Sequence, residues 1–245
     1  MNLVVDCGNT CTKVAVFDFE ELKEKFVYSS LELADIEHIF VKFDIQRIIV
    51  SSVGTIRQDV LHELERRTKS FIFLDQNTPL PINNMYESKN TLGRDRIAVA
   101  VGANFLCSNR NVLIIDAGTA ITYEFVDENN VYQGGSISPG LGTRLKSLHE
   151  FTKQLPLVEP KDIDILYGKD TETAILTGVV NGVTFEIEGY INRFKEKYDN
   201  LFVFLTGGTA FFFERKLKSI IFASPNLLLI GLNRILNYNE CIKTA

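Results

Sequence analysis

A turn-type segment close to the N-terminus, Asp6–Thr10, contains the first residues that could do chemistry. An apolar segment precedes it and the alternating segment Thr12–Phe19 follows, so the pattern predicts a β-hairpin with an acid at its rim. The backbone amides of such a turn can point into one concavity that binds phosphate, and the Asp6 carboxylate can hold a hydrated cation beside them. Lys13 could bring an ammonium group to a phosphate. A plain hairpin with a capping aspartate and a surface lysine is the alternative interpretation.

A second turn of the same type lies 110 residues further along, at Asp116. The segments Val4–Thr10 and Ile114–Ala120 match as apolar, apolar, acid, small residue and glycine, and Thr12 falls on Thr122. Because each turn opens about half of the chain, we interpret the pair as an internal duplication. Two acid-bearing glycine turns that face each other could bind successive phosphates of one nucleotide.

A charged cluster, Arg94, Asp95 and Arg96, precedes the Ala-rich apolar segment Ile97–Leu106, which is predicted to be a buried helix. Asp95 could be the N-cap of that helix. The same arrangement could serve an acceptor substrate, with Asp95 as a general base and the two arginines as cationic clamps. Both interpretations stay open on composition alone.

The segment Gly134–Gly142 has four glycines and a proline in nine residues, followed by a predicted helix from Thr143. Its apolar flanks favour a loop that lines a substrate site. No G-x-x-x-x-G-K-[ST] segment occurs, and this loop is not a G-x-G-x-x-G that joins a strand to a helix. Walker and Rossmann enzymes are therefore poor fits.

Hydrophobic periodicity predicts the elements that must position these residues. Besides the two hairpins, the pattern predicts a strand at Arg47–Val53, a helix at Ile56–Thr68, a long helix between Thr171 and Tyr198, and a strand at Leu201–Leu205. Apolar residues recur every four positions in the long helix, and its glycines, Gly178, Gly182 and Gly189, are expected to permit close packing or a kink.

Composition narrows the class of protein. The 245 residues are 45% hydrophobic and 23% charged, which is typical of a folded chain, and the net charge of −5 argues against a general nucleic-acid binder. Apolar runs are shorter than a membrane span needs, and the N-terminus lacks a basic leader, so we expect a cytoplasmic protein with no membrane contact. The four cysteines, Cys7, Cys11, Cys107 and Cys241, form no metal-type spacing with the three histidines and are expected to be ordinary buried thiols.

Taken in order, the motifs resemble those of type III pantothenate kinases, a family in the superfamily of acetate and sugar kinases, heat-shock proteins and actin. The resemblance runs nearly end to end. It rests on Asp6–Thr10 with Lys13, Ser52-Val53, Tyr86 before Gly93-x-Asp95-Arg96, Asp116-x-Gly118-Thr119-Ala120-x-Thr122, Gly134–Gly140, Leu155-Pro156, Gly168–Thr171 and Thr206–Gly208. Any one of these motifs is weak, but the ordered set is specific.

The resemblance implies an α/β fold of two duplicated RNase H-like, or actin-like ATPase, halves with mixed sheets flanked by helices. Residues 1–110 would form the half with the phosphate loop and acceptor segment, and residues 111–245 the half with the second glycine hairpin and the long helix. It further implies a homodimer that phosphorylates pantothenate to 4'-phosphopantothenate with ATP, the first step of coenzyme A synthesis. Another kinase or phosphohydrolase of the superfamily, or a nonenzymatic actin-like nucleotide-binding regulator, remains the alternative.

The resemblance also implies roles for single residues. Asp95 matches the general base, and Asp116 matches the ligand of a monovalent cation, K⁺ or NH₄⁺. Asp6 matches a carboxylate associated with Mg²⁺, and Thr119 matches a nucleotide contact. The expected phosphate loop consists of Asp6, Cys7, Gly8, Asn9, Thr10, Cys11, Thr12 and Lys13. The expected pantothenate contacts are Tyr86, Gly93, Arg94, Asp95, Arg96 and, across the dimer, Thr171.

Two positions depart from the family pattern. Thr209 stands where the family usually has Asp after Thr-Gly-Gly, and Lys89 stands where Pro is common between Tyr86 and Gly93. The first puts details of the nucleotide site in doubt. The second is expected to loosen the loop before Leu92, because proline would have restricted the unfolded chain.

Overall fold

The computed structural model describes residues 1–54 and 56–244. Eleven strands, seven α-helices and a single 3-10 turn (Lys89–Thr91) lie in these residues. In chain order they are β1 (Asn2–Cys7), β2 (Thr12–Asp18), β3 (Glu21–Tyr28), α1 (Leu33–Lys42), β4 (Arg47–Ser52), α2 (Gln58–Arg66), β5 (Ser70–Phe73), β6 (Asn83–Asn84), α3 (Arg94–Leu106), β7 (Val112–Ala117), β8 (Ala120–Val126), β9 (Val131–Pro139), α4 (Leu141–Phe151), α5 (Thr171–Lys197), β10 (Phe202–Thr206), α6 (Ala210–Glu214), β11 (Phe222–Ala223) and α7 (Leu227–Thr244).

The chain divides into two compact units. The first contains Met1–Ser108 and the C-terminal segment that begins at Asn226, and the second is Asn109–Pro225. The sequence interpretation assigned the C-terminal segment to the second half, whereas α7 packs against β1, β4 and α3 of the first unit. Its apolar residues, such as Leu232, Ile235 and Leu236, are fully buried. The division into two functional halves stays a prediction.

The two units have sheets of the same topology. In the first, the strand order is β3-β2-β1-β4-β5, with β1–β2 and β2–β3 antiparallel and with β1–β4 and β4–β5 parallel. The second unit repeats this pattern as β9-β8-β7-β10-β11. The predicted internal duplication and the α/β fold with two mixed sheets are therefore confirmed.

Side chains of the first sheet alternate between two helical layers. Leu3, Val5 and Cys7 of β1 belong to a core that includes apolar residues of α1 and α2. The intervening side chains lie on the opposite face: Asn2 Nδ2 donates to Asn233 Oδ1 of α7 at 2.8 Å. By the same alternation, Asp6 lies on the face that α3 and α7 cover.

Helices α3 and α7 approach each other closely at two glycines. A Cβ on Gly231 would lie 1.8 Å from Ala98 O, and one on Gly102 would lie 2.3 Å from Leu227 O. Both positions therefore require glycine, because any larger residue would push the two backbones apart. This contact fixes where α3 lies and, with it, the residues at its N-terminus.

The long helix α5 packs on the second sheet through the residues that its periodicity predicted. Val183, Ile187 and Ile191 are fully buried in a core with Leu113 and Ile115 of β7. Asp170 caps the helix by accepting a hydrogen bond from the Thr173 N–H group at 2.9 Å. The structure shows no kink and no close packing within the chain at its glycines: a Cβ on Gly178, Gly182 or Gly189 would meet no atom of the described residues within 4 Å, and α5 is one uninterrupted helix.

Three local predictions are corrected by the structure. The sequence analysis missed α1, and it missed β3 because this strand alternates exposed and half-buried residues and has a weak apolar signal. Most of the predicted loop Gly134–Gly142 is strand β9, in which Gly134 adopts a φ of +112°. Of the four cysteines only Cys7 is buried, whereas Cys11 and Cys107 are half-buried and Cys241 is exposed.

Candidate functional site

The turn between β1 and β2 is bound tightly to the end of β4. The Gly8 N–H group donates to Cys11 O at 3.1 Å, and the Val53 and Gly54 N–H groups both donate to Cys7 O at 3.1 Å. A Cβ on Gly54 would lie 2.5 Å from Gly8 O, so the two backbones touch. These contacts fix the shape of the predicted phosphate loop.

A cavity of about 290 Å³ opens beside this turn. It brings together five of the predicted loop residues and adds three polar side chains to them, those of Ser29, Ser30 and Arg57. Its lining consists of Cys7, Gly8, Asn9, Thr10 and Thr12 with Ser29, Ser30, Leu31, Gly54, Ile56 and Arg57. Sequence reasoning missed Ser29, Ser30, Gly54 and Arg57, because β3 and α1 were not predicted and the loop after β4 was not linked to the hairpin.

Arg57 places a guanidinium at this cavity, and two carboxylates pair with it. Its Nε donates to Asp59 Oδ1 at 3.1 Å, its Nη2 donates to Asp59 Oδ2 at 2.6 Å, and its Nη1 donates to Glu32. These hydrogen bonds, first those to Asp59, raise the pKa of the guanidinium. Its place just after a central parallel strand could have indicated a ligand site, since ligands bind at the carboxyl ends of such strands.

Asp6 and Lys13 do not line this cavity and lie on the opposite face of the sheet. Asp6 is 4% exposed and pairs in register with Lys13 on β2 and with Ser51 on β4. Cys7 is on the cavity side, where burial raises the pKa of its thiol although a hydrogen bond with Thr12 lowers it. The Cys7 side chain belongs to the buried core on this face of the sheet.

Asp95 is not the N-cap of α3, and that interpretation is wrong. The cap is Gly93, and Asp95 is the second residue of the helix. Its Oδ1 accepts the Arg96 N–H group at 2.9 Å. A Cβ on Gly93 would lie 2.5 Å from this oxygen, so the glycine leaves space for the carboxylate.

Two predicted pantothenate contacts meet beside Asp95. Arg96 Nη1 donates to Tyr86 Oη at 3.4 Å, and the guanidinium lies 5.3 Å from the centre of the Tyr86 ring. Arg96 is 6% exposed, which is unusual for a cation and indicates a built polar site. Arg94 instead supports the preceding loop, because its Nη1 donates to Leu92 O at 3.1 Å and its Nη2 to Gln76 Oε1 at 2.9 Å.

The second turn, between β7 and β8, is held by the segment that follows β9. The Gly140 N–H group and Thr143 Oγ1 donate to Thr119 O at 2.9 and 2.7 Å. Thr119 itself is exposed, and Asp116 is half-buried at the end of β7. These hydrogen bonds thus hold the backbone of Thr119 in place.

Thr209, one of the two departures, has a structural role in this turn. Its N–H group and its Oγ1 both donate to Ala117 O, at 2.9 and 2.7 Å. Gly207 nearby has a φ of +98°, and a Cβ there would lie 2.4 Å from Asp116 Oδ1. The other departure, Lys89, lies exposed in the 3-10 turn, and its backbone O accepts from Arg94 Nη1 at 3.5 Å.

Thr171 is the first residue of α5 and lines an apolar groove of about 540 Å³ on the second unit. Leu148, Leu155, Ile175 and Val179 also line this groove. The structure therefore places Thr171 on an exposed surface at the start of the long helix.

Within residues 1–54 and 56–244, no group of three or more His, Cys, Asp and Glu side chains could hold a metal ion. A metal at Asp6 or Asp116 would therefore take other ligands from bound substrate, water or backbone oxygen atoms. No helix in the described part of the chain is long and apolar enough to cross a membrane.

Comparison with known proteins gives matches to a family model and to relatives that cover 98% of this chain. The family model for type III pantothenate kinase matches residues 2–193. A type III pantothenate kinase from Bacteroides fragilis is 50% identical over 240 residues, which is 98% of this chain and 99% of the relative. A second one, from Christiangramia forsetii, is 44% identical over 242 residues and covers the same shares.

Among solved structures, a conserved putative Baf family transcriptional activator from Campylobacter jejuni superposes with a TM-score of 0.62 at 22% identity, over 98% of this chain and 99% of that one. The activator of the 2-hydroxyisocaproyl-CoA dehydratase from Clostridium difficile, with bound ADPNP, has a TM-score of 0.52 at 15% identity, over 99% and 96%. At these identities the likeness shows a shared fold. The family model and the 50% identity over nearly the full length show that this chain belongs to the type III pantothenate kinase family.

Proposed function

We propose a residue-level account of the reaction that family membership gives this chain, the ATP-dependent phosphorylation of pantothenate to 4'-phosphopantothenate. The observation that carries the reaction is the full-length match to the family, with 50% identity to one member. Phosphoryl transfer depends on positioning and charge neutralisation more than on covalent chemistry. The residues below supply a base, an acceptor site and a phosphate site.

Asp95 is the proposed general base. Its Oδ1 accepts a hydrogen bond from the Arg96 N–H group. In the proposed reaction the carboxylate accepts the proton of the attacking pantothenate hydroxyl. Asp95 lies in the first turn of α3, where its carboxylate can accept a hydrogen bond from the hydroxyl group.

Pantothenate is proposed to bind around Tyr86, Gly93 and Arg96. The contact between Tyr86 and Arg96 supports this assignment, because a buried guanidinium held by an aromatic ring can donate to the polar groups of an acid substrate. Arg94 is proposed to contribute through the loop that its guanidinium holds. The match to type III pantothenate kinases gives no comparable support to another kinase, a phosphohydrolase or a nonenzymatic regulator.

The phosphates of ATP are proposed to bind at the β1–β2 turn, between Asp6 and Lys13, and at Thr119. The fold is shared with a protein whose solved structure contains ADPNP, which supports nucleotide use. Asp6 fits Mg²⁺ because it offers a hard carboxylate at the end of β1, with phosphates and water to complete the shell. Bound Mg²⁺ would neutralise charge on the phosphates.

Asp116 is the proposed ligand of a monovalent cation, K⁺ or NH₄⁺. The donor types suit such a cation, since one carboxylate oxygen, Asp116 Oδ1, and one backbone oxygen, Ala117 O, both lie beside Gly207. A bound cation would supply positive charge near the second turn. The hydrogen bond from Thr209 Oγ1 to Ala117 O holds the backbone next to Asp116 in place.

A homodimer is proposed from the surface of α5. Thr171, Ala174, Gly178 and Phe185 share one helical face, and the groove beside the first three is apolar. A second copy that covered this face would bring Thr171 towards the partner's acceptor site. The cytoplasmic location stays a prediction.

The experiment is an assay of ADP release with ATP, magnesium and potassium, run with and without pantothenate and with mass detection of the product. We expect ADP release that requires pantothenate and yields phosphopantothenate, and omission of potassium or magnesium should each lower the rate. ADP without that product would favour a phosphohydrolase or another acceptor. ATP binding without turnover would favour the nonenzymatic regulator.

A further inference from the structure

A connected set of hydrogen bonds runs from helix α5 to the turn that carries Thr119, and the proposed reaction does not use it. It begins at Glu186, near the middle of α5. Arg144 Nη2 donates to Glu186 Oε2 at 2.5 Å, and Tyr123 Oη donates to Glu186 Oε1 at 2.8 Å. Both carboxylate oxygens are thus engaged by side chains of α4 and β8.

Arg144 also forms hydrogen bonds to the residues at the end of β9. Its Nε donates to Pro139 O at 2.7 Å, and its Nη2 also donates to Ser138 Oγ at 2.7 Å. Its own N–H group donates to Gly140 O at 2.9 Å. The Arg144 side chain therefore holds Ser138 and Pro139, while its backbone N–H group holds Gly140. We call Arg144, Glu186 and Tyr123 the Arg144 clamp.

The fixed segment in turn holds the β7–β8 turn. The Gly140 N–H group and Thr143 Oγ1 both donate to Thr119 O. A Cβ on Gly140 would lie 2.1 Å from Gly118 O and 2.6 Å from Thr119 O, so the two backbones are in direct contact. A shift of Gly140 would therefore move the backbone of Thr119.

The charges of the clamp are partly shielded from solvent. The side chains of Arg144 and Glu186 are 23% and 22% exposed. Burial opposes ionisation of Glu186, but hydrogen bonds from Arg144, Tyr123 and Ser138 outweigh it and lower the pKa of the carboxyl group. Charge-assisted hydrogen bonds of this kind are stronger than neutral ones and geometrically specific. Such hydrogen bonds can fix the position of the segment at the end of β9 as well as add to stability.

We propose that Arg144 is a positioning residue for nucleotide binding, held by Glu186 and Tyr123, and that it acts by fixing the turn that carries Thr119. The inference rests on the proposed contact between Thr119 and the nucleotide. Loss of the clamp should raise the KM for ATP and the Kd for ADP by about 3- to 30-fold. The KM for pantothenate should stay within about twofold, because the clamp touches no residue of the proposed acceptor site.

The test uses four variants: Arg144→Lys, Glu186→Gln, the double variant that combines these two substitutions, and Thr119→Val. Glu196→Gln is the matched control: it removes a glutamate from the same helix whose Oε2 accepts from Arg193 at 2.9 Å, but the pair is 84% and 63% exposed. Each protein is measured for both KM values, kcat, ADP affinity by calorimetry and the thermal unfolding midpoint. If Arg144 and Glu186 act as one unit, the affinity of the double variant for ADP should be no lower than that of whichever single variant binds ADP less tightly.

The outcomes separate this inference from the proposed function. An ATP KM that rises in Thr119→Val, Arg144→Lys and Glu186→Gln but not in the control supports the positioning role. An ATP KM that rises in Thr119→Val alone overturns that role and leaves the nucleotide contact standing. Unchanged ATP KM and ADP affinity in Thr119→Val overturn the contact. Clamp variants that only lower the unfolding midpoint show a structural role and overturn the inference.

Discussion

The Asp95 carboxylate is the group on which the proposed chemistry depends most directly. Sequence reasoning found the residue, but it left open whether Asp95 caps α3 or serves the substrate. The structure removes the first interpretation, because Gly93 is the cap and Asp95 lies one residue inside the helix. A residue that does not cap the helix can be changed without loss of the helix, which makes the role of Asp95 testable.

Asp95→Asn should keep the fold and lose activity. An amide cannot accept the proton of the hydroxyl group, so we expect kcat to fall by about 10²- to 10⁴-fold while the KM for ATP changes little. ADP release and thermal unfolding measure the two effects. The control is Asp35→Asn, since Asp35 also lies in the first turn of a helix and accepts a backbone N–H group at 2.9 Å. A kcat within threefold of the parent's would remove Asp95 from the role of base.

Two pairs of elements decide where the site residues lie. Helix α3 takes its position from the glycine contact with α7, and helix α5 is tied to the segment before β11 by Glu188. In the second pair, Glu188 accepts hydrogen bonds from Ser219 N–H at 3.0 Å and from Ser219 Oγ at 2.7 Å. We make one prediction about the stability of the protein for each of these two contacts.

Gly231→Ala should destabilise the protein by roughly 1–3 kcal/mol, because the new methyl group would meet Ala98 O at 1.8 Å and force α3 and α7 apart. Urea unfolding measures the change. Gly189→Ala is the control in an open position on α5, and it should stabilise by up to about 1 kcal/mol, since alanine has the higher helix propensity. Equal effects of the two substitutions would contradict the close contact.

Glu188 should make stability depend on pH in the acid range. Burial opposes its ionisation, but hydrogen bonds from Ser219 and Lys218 outweigh burial and lower the pKa of its carboxyl group below 4.5. The folded state therefore gains stability above pH 4.5 and loses it as the pH falls through the lower folded-state value. Glu188→Gln should be less stable than the parent by about 1–2 kcal/mol at pH 7, and the gap should shrink in acid. Urea midpoints between pH 3 and 7 measure it.

The control for this pH profile is Glu196→Gln, on the exposed side of the same helix. Its midpoint should follow that of the parent at every pH, because exposed ion pairs contribute little. A constant gap between Glu188→Gln and the parent from pH 7 to pH 3 would show that the charge of Glu188 is not what stabilises the loop.

At the scale of the whole molecule, the proposed homodimer places the surface of α5 in an interface. Phe185 is 62% exposed on this surface, at helical spacing from Gly178. Phe185→Asp should convert a dimer to a monomer, because an unpaired carboxylate would be buried in an apolar contact. Sedimentation velocity measures the change, and pantothenate-dependent activity should fall with it if Thr171 acts across the interface.

The control for the interface is Phe211→Asp, since Phe211 is 66% exposed on the second unit but lies on α6. This variant should sediment like the parent. A parent protein that is already monomeric at micromolar concentration would reject the dimer, and Phe211→Asp that dissociates instead would place the interface on α6.

Much of the fold could be predicted because local patterns repeat. The two acid-bearing turns at Asp6 and Asp116 revealed the duplication, and the four-residue spacing from Ile175 to Ile191 revealed α5. Such features depend on residues close together in the chain, whose periodicity reports directly which face is buried. The edge strand β3 was missed because its side chains are only half-buried and carry many charges.

The sequence by itself determined the motif set, the family that it resembles, the duplicated α/β fold and the identity of the candidate base. Only the tertiary structure decided that Arg57 joins Gly8 and Thr10 at one cavity, that Asp6 lies on the other face, and that Arg144 reaches Glu186. Residues 42 positions apart, such as Arg144 and Glu186, meet because α4 and α5 pack on the same side of one sheet. No local pattern records that packing, since it depends on how buried faces distant in the chain fit together.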